Sequence, residues 1–269
     1  MENIKIEQKF GLEISDMAKA GLHFGHRTSK LHPKMKPYIY GVKKTIHIID
    51  LNKTIEKFSL ALDAIKNLSQ ENKVLLLVGT KIQHKQLIKD MAKECNLPCV
   101  SERWLGGLLT NFESIAKRVK YFHEVREKVA SEGFDQYTKK EQSKIKKELE
   151  KLERKFGGIE DMGKIPAALF ICDVKKDEIA VREARKMNIP IIAVVDTNAD
   201  PSLIDWPIPA SDDPISAAKY VLDKVKQTIL ENKGKKEEVK KEVKEEAQKE
   251  EVKKEKVKKE IKKQDKKES

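Results

Sequence analysis

Histidine and aspartate side chains are the first candidates for chemistry in this sequence. His23 and His26 flank a glycine, and four aspartates stand at or beyond the ends of predicted strands: Asp196, Asp200, Asp212 and Asp213. Such groups at the carboxyl edge of a sheet could bind a metal or run acid–base chemistry. They could equally cap turns and satisfy backbone groups, and we favour this interpretation because residues 196–201 have strong turn composition. We therefore expect no metal and no cofactor. The residues that would otherwise ligate a metal are His23, His26, Asp196 and Asp212.

A second candidate is the turn Val78-Gly79-Thr80-Lys81, which superficially suggests a phosphate loop. A P-loop needs a further glycine five residues before an adjacent Gly-Lys pair, and Ser or Thr after the lysine. Neither condition is met, and no GxGxxG occurs in the chain. Gly79 is better explained as a tight strand-to-helix turn, with Thr80 as the helix N-cap. The sequence also has no serine elbow, so we expect that the protein is not an enzyme.

The cysteines give no stronger signal for a metal or a nucleophile. Cys95 and Cys99 could supply half of a metal site, but no second Cys or His pair with suitable spacing accompanies them. None of the three cysteines, Cys172 included, has an evident base beside it. We expect buried thiols that act as small hydrophobic side chains.

The most informative feature is a stretch without acidic residues. No Asp or Glu occurs between Asp16 and Asp50, although the chain contains 44 of them. Basic side chains neutralise phosphates, and exposed aromatic rings can stack on bases. We take Pro33 and Pro37 to hold this segment extended. The alternative is a solvated loop whose tyrosines pack into the core. The RNA-binding candidates in this segment are Arg27, Lys30, Lys34, Lys36, Tyr38, Lys43 and Lys44.

Further RNA-binding candidates follow along the chain. Three lysines share one helix face at a spacing of four residues, and others lie near the paired glycines of the segment 103–112. In that segment we expect Trp104 to be a core anchor rather than a stacking platform, and Asn111 to cap the next helix. The additional candidates are Lys81, Lys85, Lys89, Arg103, Lys117 and Arg118.

Hydrophobic periodicity predicts an α/β fold. Short apolar runs alternate with segments of helical period, which is typical of a parallel sheet covered on both faces. The predicted strands are 46–49, 74–78, 97–100, 167–172 and 190–195, and the predicted helices are 53–70, 81–95, 177–187 and 214–230. We predict a doubly wound, flavodoxin-like sheet domain formed by residues 1–111 and 157–230.

Two segments depart from that alternation. Residues 112–156 have no strand candidate and carry two apolar stripes at helical spacing, with a turn at 132–135 and a capping box at Thr138 and Glu141. We predict an inserted antiparallel two-helix coiled-coil hairpin, which is basic because it holds 13 Lys or Arg against 9 Asp or Glu. Residues 231–269 contain 16 Lys and 12 acidic residues and little else, which predicts a disordered tail.

Composition limits the class of partner and the location. The formal net charge is +12 and the sequence pI is about 9.3, which favours a polyanion such as nucleic acid. No apolar run approaches the roughly 20 residues of a membrane span, and the N-terminus lacks signal-peptide features. We expect a cytoplasmic protein without a membrane partner.

Several of these motifs together resemble a known family, universal small-subunit ribosomal protein two in its bacterial form. The resemblance spans residues 14 to 230, in order and in spacing. It rests on Leu22–His26, Pro33–Ile39, Val78–Lys81, Arg103–Gly107, Gly157–Met162, Ile189–Asn198 and Ile208–Asp213.

The resemblance implies a function as well as a fold. It implies a structural constituent of the small ribosomal subunit, bound to the ribosomal RNA of head and body on the solvent side. It also implies late assembly beside the large messenger-capturing protein number one. Two rival hypotheses stay open: a nucleotide-utilising enzyme on the same fold, and a free RNA-binding regulator.

Overall fold

The computed structural model describes residues 10–131 and 137–232. The predicted turn at 132–135 lies outside the described residues, and so does the predicted tail from residue 233 onward. Residues 231 and 232 continue the last helix. In chain order the elements are α1 (Ile14–Ala20), β1 (Phe24–Arg27), β2 (Ile39–Lys43), β3 (Ile46–Ile49), α2 (Leu51–Gln70), β4 (Leu75–Val78), α3 (Ile82–Cys95), β5 (Cys99–Val100), α4 (Phe112–Ala130), α5 (Lys139–Phe156), β6 (Ala168–Ile171), α6 (Glu178–Lys186), β7 (Ile191–Val195), β8 (Trp206–Pro209) and α7 (215–232).

Five strands form one parallel sheet in the order β5-β4-β6-β7-β8. If these five strands are numbered 1 to 5 by their order along the chain, their order in the sheet is 2-1-3-4-5. This is the strand order of flavodoxin-like doubly wound sheets. Every residue of β4, β6 and β7 is buried, because the sheet is covered on both faces. The predicted α/β fold with a parallel sheet is confirmed.

Alternate side chains of β4 show how the sheet divides the core. Leu75 and Leu77 pack in one cluster with side chains of α2, α3 and α7, where Phe58 is fully buried. Leu76 and Val78 face the other side and pack with α6 and the segment 104–109. The period of two along a strand therefore sends successive leucines into different clusters.

A separate three-stranded antiparallel sheet, in the order β1-β3-β2, corrects one prediction. Residues 46–49 are a strand as expected, but they belong to this sheet and not to the parallel one. A two-residue turn links β2 to β3, with Lys44 at φ 48° and Thr45 at φ 68°. These left-handed conformations suit a hairpin turn that usually carries Asn-Gly, so Lys44-Thr45 does not signal a hairpin in the sequence.

The segment between β1 and β2 also differs from expectation. We predicted that Pro33 and Pro37 hold it extended, which is wrong: Pro33–Tyr38 is a 3-10 helix. Proline is tolerated at its first position because the missing N–H has no helical partner there. Met35 from this turn is fully buried in the core, so the segment is anchored to the domain.

The helices α4 and α5 occupy the predicted strand-free segment, and their described residues contain no strand. The predicted capping box is confirmed, since the Thr138 side chain accepts from the Glu141 backbone and Glu141 accepts from the Thr138 backbone. Tyr121 Oη donates to Glu148 Oε1 at 2.8 Å, which joins the two helices. Phe122 and Phe156 are buried in the same cluster as the sheet, so the base of these helices is part of the domain core.

Candidate functional site

The carboxyl edge of the parallel sheet gathers the conspicuous aspartates, as predicted. Asp196 follows β7, and Asp212 and Asp213 follow β8. Asp212 and Asp213 contact Lys81, whose Nζ lies 3.1 Å from Asp212 Oδ1 and 2.6 Å from Asp213 Oδ1; Asp173, which follows β6, lies 3.5 Å from the same Nζ through its Oδ2. Burial alone would lower the pKa of Lys81, but these carboxylates outweigh it and raise the pKa above its ordinary value. Lys81 is therefore a fixed internal cation.

His26 extends this cluster. Its Nδ1 lies 3.0 Å from Asp196 Oδ2, without the alignment of a hydrogen bond. The close Asp196 carboxylate raises the pKa of His26, against the opposing effect of burial. Ligand atoms of His26, Asp196 and Asp212 lie within 4.8 Å of one another, so these three residues could hold a divalent metal. His23, the fourth candidate ligand, does not join them; its ring packs against that of Phe24 at a tilt of 40°, with centroids 3.9 Å apart.

Other polar residues of this edge hold backbone turns, as we favoured. Asp200 accepts from the backbone N–H and the hydroxyl of Ser202 at 2.9 and 2.7 Å. Thr80 was predicted to cap the following helix, which is wrong: Lys81 occupies the N-cap position, and no side chain caps it. Thr80 instead donates its hydroxyl to Asp177 Oδ1 at 2.8 Å, and its backbone N–H also reaches that carboxylate.

Several lysines predicted to bind RNA have carboxylate partners. Lys85 and Lys89 both donate to Glu102, at 2.6 and 2.8 Å, and these bonds lower the pKa of Glu102 to about 2. Lys34 donates to Asp200 at 2.9 Å. With Lys81, these side chains have their charge balanced within the fold, which makes them poor candidates for phosphate contacts.

The remaining predicted cations are exposed. In the described ranges no carboxylate lies within 4 Å of their charged groups. One set lies on and beside the three-stranded sheet, and we call it the basic surface: Arg27, Lys30, Lys36, Lys43 and Lys44. A second set lies at the join to α4 and on that helix: Arg103, Lys117 and Arg118. Tyr38 is half-buried and packs against the core, so it is not a free stacking platform.

Glu183 on α6 is an organising residue that the sequence interpretation missed. Its carboxylate accepts from Trp104 Nε1 at 3.1 Å and from three backbone N–H groups, of Gly107, Leu109 and Thr110, at 2.8, 3.0 and 3.3 Å. Burial alone would raise the pKa of Glu183, but these donors outweigh it and lower the pKa. The available signal was an acidic residue on the helix face of Ala180 and Ala184, which are buried.

The segment 104–111, which contacts Glu183, bears on two further predictions. Trp104 is 5% exposed, which confirms that it is a core anchor. Asn111 stands at the N-cap position of α4, but its side chain makes no capping bond, so that prediction is wrong. Gly107 has φ +87°, a left-handed conformation that favours glycine and lets its N–H face Glu183.

Ligands of doubly wound proteins bind at the carboxyl edge of the sheet. In this chain that edge carries the ion pairs of Lys81 with three aspartates, whereas the exposed cations lie on the small antiparallel sheet and on α4. The described residues assemble no nucleophile with a base and no phosphate loop. Fold and site together define a doubly wound α/β protein with a basic outer surface. Among the described residues, no helix is both long and apolar enough to cross a membrane.

Comparison with known proteins specifies the family. The family model for ribosomal protein S2 matches residues 17–232. The small ribosomal subunit protein uS2 of Petrotoga mobilis is 49% identical over 222 residues, 82% of this chain and 77% of the relative. The uS2 proteins of Coprothermobacter proteolyticus and of Nitratiruptor sp. are each 44% identical, covering 82% and 84% of this chain and the same shares of the relatives.

This chain belongs to the ribosomal protein S2 family. The resemblance carried by the sequence motifs is thereby confirmed. The protein has a structural role in the ribosome and is not an enzyme, as expected.

Proposed function

We propose that this chain is a constituent of the small ribosomal subunit that binds ribosomal RNA through the basic surface. The supporting observation is the arrangement of the acid-free stretch, residues 17–49. It folds into a small sheet that leaves five cations exposed and without a carboxylate partner in the described ranges. Such cations neutralise phosphates and release counterions. Contacts to phosphate and to surface shape position a protein on RNA without reading its sequence.

The helices α4 and α5 provide a second RNA contact in this proposal. We infer that they form an antiparallel coiled-coil hairpin inserted into the sheet domain. The helix contact through Tyr121 and Glu148 supports it, as do the partly buried apolar residues Val119 and Leu149. The segment 112–156 has an excess of four positive charges, and Lys117 and Arg118 are exposed on α4.

The proposal extends to the neighbours of this chain in the subunit. We propose contacts with small-subunit ribosomal RNA of the head and the body, and with other small-subunit proteins, including the large messenger-capturing protein number one. Late joining to the subunit and a location on cytoplasmic ribosomes belong to the same proposal. Its support is the match of the ribosomal protein S2 model over residues 17–232.

The site geometry also argues against the rival hypothesis of a nucleotide-utilising enzyme. Its phosphates would bind at the turn between β4 and α3, where Thr80 already gives its N–H and its hydroxyl to Asp177. Asp212 is 4% exposed beside Lys81 at the same edge, so a phosphate would meet buried carboxylates there. The other alternative, a free RNA-binding regulator, predicts RNA affinity without entry into ribosomal subunits.

The dependence of RNA affinity on salt tests the basic surface. Replacing Lys36, Lys43 and Lys44 by Gln should flatten the log–log salt slope by about two to three units, since each lost phosphate contact removes about 0.7 to 0.9. The melting temperature should barely change, because exposed lysines contribute little to folding. The matched control replaces the exposed residues Lys175, Lys186 and Lys219. Equal slopes for the two variants would remove the basic surface from the proposal.

A further inference from the structure

The three-stranded sheet has one face against the domain and one face open. On the inner face, Ile49 is 1% exposed and His47 is buried. A Cβ added to Gly25 would lie 2.6 Å from Thr197 Cγ2, which shows how closely β1 approaches the loop after β7. The His26 backbone N–H also donates to Thr197 Oγ1 at 2.9 Å.

The strand register defines which side chains share the outer face. Residues paired across an antiparallel sheet project to the same side, and so do residues two apart in one strand. One row across the sheet is Arg27, Ile46 and Lys43, and the neighbouring row is Phe24, Ile48 and Gly41. An irregularity in β1 between residues 24 and 27 keeps Phe24 and Arg27 on this same side despite their odd separation.

The two rows place apolar side chains at the centre of the outer face and cationic side chains on either side of them. Phe24 is 47% exposed and Ile46 36%, while Arg27 and Lys43 are exposed at either side of Ile46. Gly41 has nothing within 4 Å of the position of a Cβ, so the sheet is bare beside Ile48. Tyr40 lies next to it at the irregularity of the edge strand β2, and its side chain is 81% exposed.

We propose that this outer face binds unpaired RNA, with bases stacked on Phe24 and Tyr40 and phosphates held by Arg27 and Lys43. This inference rests on the proposed function and adds the kind of RNA that the sheet recognises. Charge complementarity argues for the occupant, since residues 17–49 contain no acidic side chain. On this face Arg27 and Lys43 lie about 10 Å apart, which is two strand spacings. Unpaired RNA fits such a face because its planar bases can stack on the aromatic side chains while its anionic backbone meets the cations.

The geometry favours unpaired over double-stranded RNA. In an A-form helix the bases are stacked on each other and cannot offer a face to a protein ring. The bases of unpaired nucleotides can stack on aromatic side chains. Such a contact tolerates any base, because every base has a planar face. The face should therefore discriminate by pairing state rather than by base identity.

The test compares variants of the full chain on one probe, a ten-nucleotide oligoadenylate, with a ten-base-pair RNA duplex as the second ligand. Phe24→Leu keeps an apolar side chain and Tyr40→Ala alters an exposed one, so both should melt like the native protein. Each should weaken oligoadenylate binding by about 5- to 150-fold, as expected for a lost base–aromatic stack. Leu60→Ala, which truncates a side chain that is 49% exposed on α2, is the control and should bind normally.

The outcomes separate this inference from the proposed function. Native protein that binds the single strand more tightly than the duplex, with both aromatic variants weakened, supports the inference. Unchanged affinity in Phe24→Leu and Tyr40→Ala would overturn the inference without affecting the proposed RNA binding. The outer face would then be assigned to contact with a neighbouring protein. Native protein that binds neither RNA, at any salt concentration, would contradict the proposed function itself.

Discussion

Glu183 offers the sharpest test of how the join between sheet and helices is held. Truncation to Ala would leave Trp104 Nε1 and the Leu109 N–H without an acceptor, and these residues are 5% and 1% exposed. A buried donor without a partner costs about 1 to 3 kcal/mol, so we expect Glu183→Ala to lower the free energy of unfolding by about 3 to 5 kcal/mol. Glu183→Gln keeps one acceptor oxygen and should cost roughly half of that.

Urea unfolding followed by tryptophan fluorescence measures this cost. The matched control is Glu178→Gln on the same helix, where an exposed ion pair with Arg182 at 2.6 Å should contribute less than about 1 kcal/mol. A loss below about 1 kcal/mol for Glu183→Ala would refute the anchoring role.

The pH dependence of this stabilisation follows from the direction in which folding shifts the pKa of Glu183. The pKa of Glu183 is lowered in the folded state, so its stabilisation is complete above its ordinary value of 4.5 and is lost as the pH falls through the folded-state pKa. The stability gap between the native protein and Glu183→Gln should therefore narrow only below about pH 4.5. A gap that is independent of pH would show that the carboxylate charge does not matter.

Two further predictions concern the sheet edge and α4. Gly158→Ala would place a Cβ 2.2 Å from the Cys99 carbonyl oxygen and should cost about 3 kcal/mol, whereas Gly106→Ala has open space and should stay within about 0.5 kcal/mol in the same melt. Replacing Lys117 and Arg118 by Gln should reduce the RNA salt slope by about 1.4 to 1.8 units; an unchanged slope would exclude α4 from the RNA contact.

The central sheet could be predicted from sequence because its strands are buried on both faces. Apolar runs at 74–78, 167–172 and 190–195 contain the observed strands β4, β6 and β7 to within one residue at each end. The strand β8 was not predicted, because Pro207 and Pro209 mask it. Proline is compatible with a strand at the edge of a sheet, and β8 is an edge strand.

The candidate site was only partly predictable, since charge pairing depends on the fold. The acid-free stretch correctly marked a segment with exposed cations, but the sequence could not reveal that Lys34 meets Asp200 across 166 positions. The spacing of Lys85 and Lys89 predicts a basic helix face, but in the folded protein both side chains donate to Glu102. The antiparallel sheet was also hidden, because the Lys44-Thr45 turn lacks the usual glycine.

The most direct test of the central claim is sedimentation of the full chain with small ribosomal subunits that lack their own copy, in high magnesium. The account predicts co-migration at close to one copy per subunit. Occupancy should fall for the Lys36, Lys43 and Lys44 triple variant and persist for the Lys175, Lys186 and Lys219 control. A native chain that binds RNA but remains at the top of the gradient would contradict a ribosomal role for it and favour the free regulator.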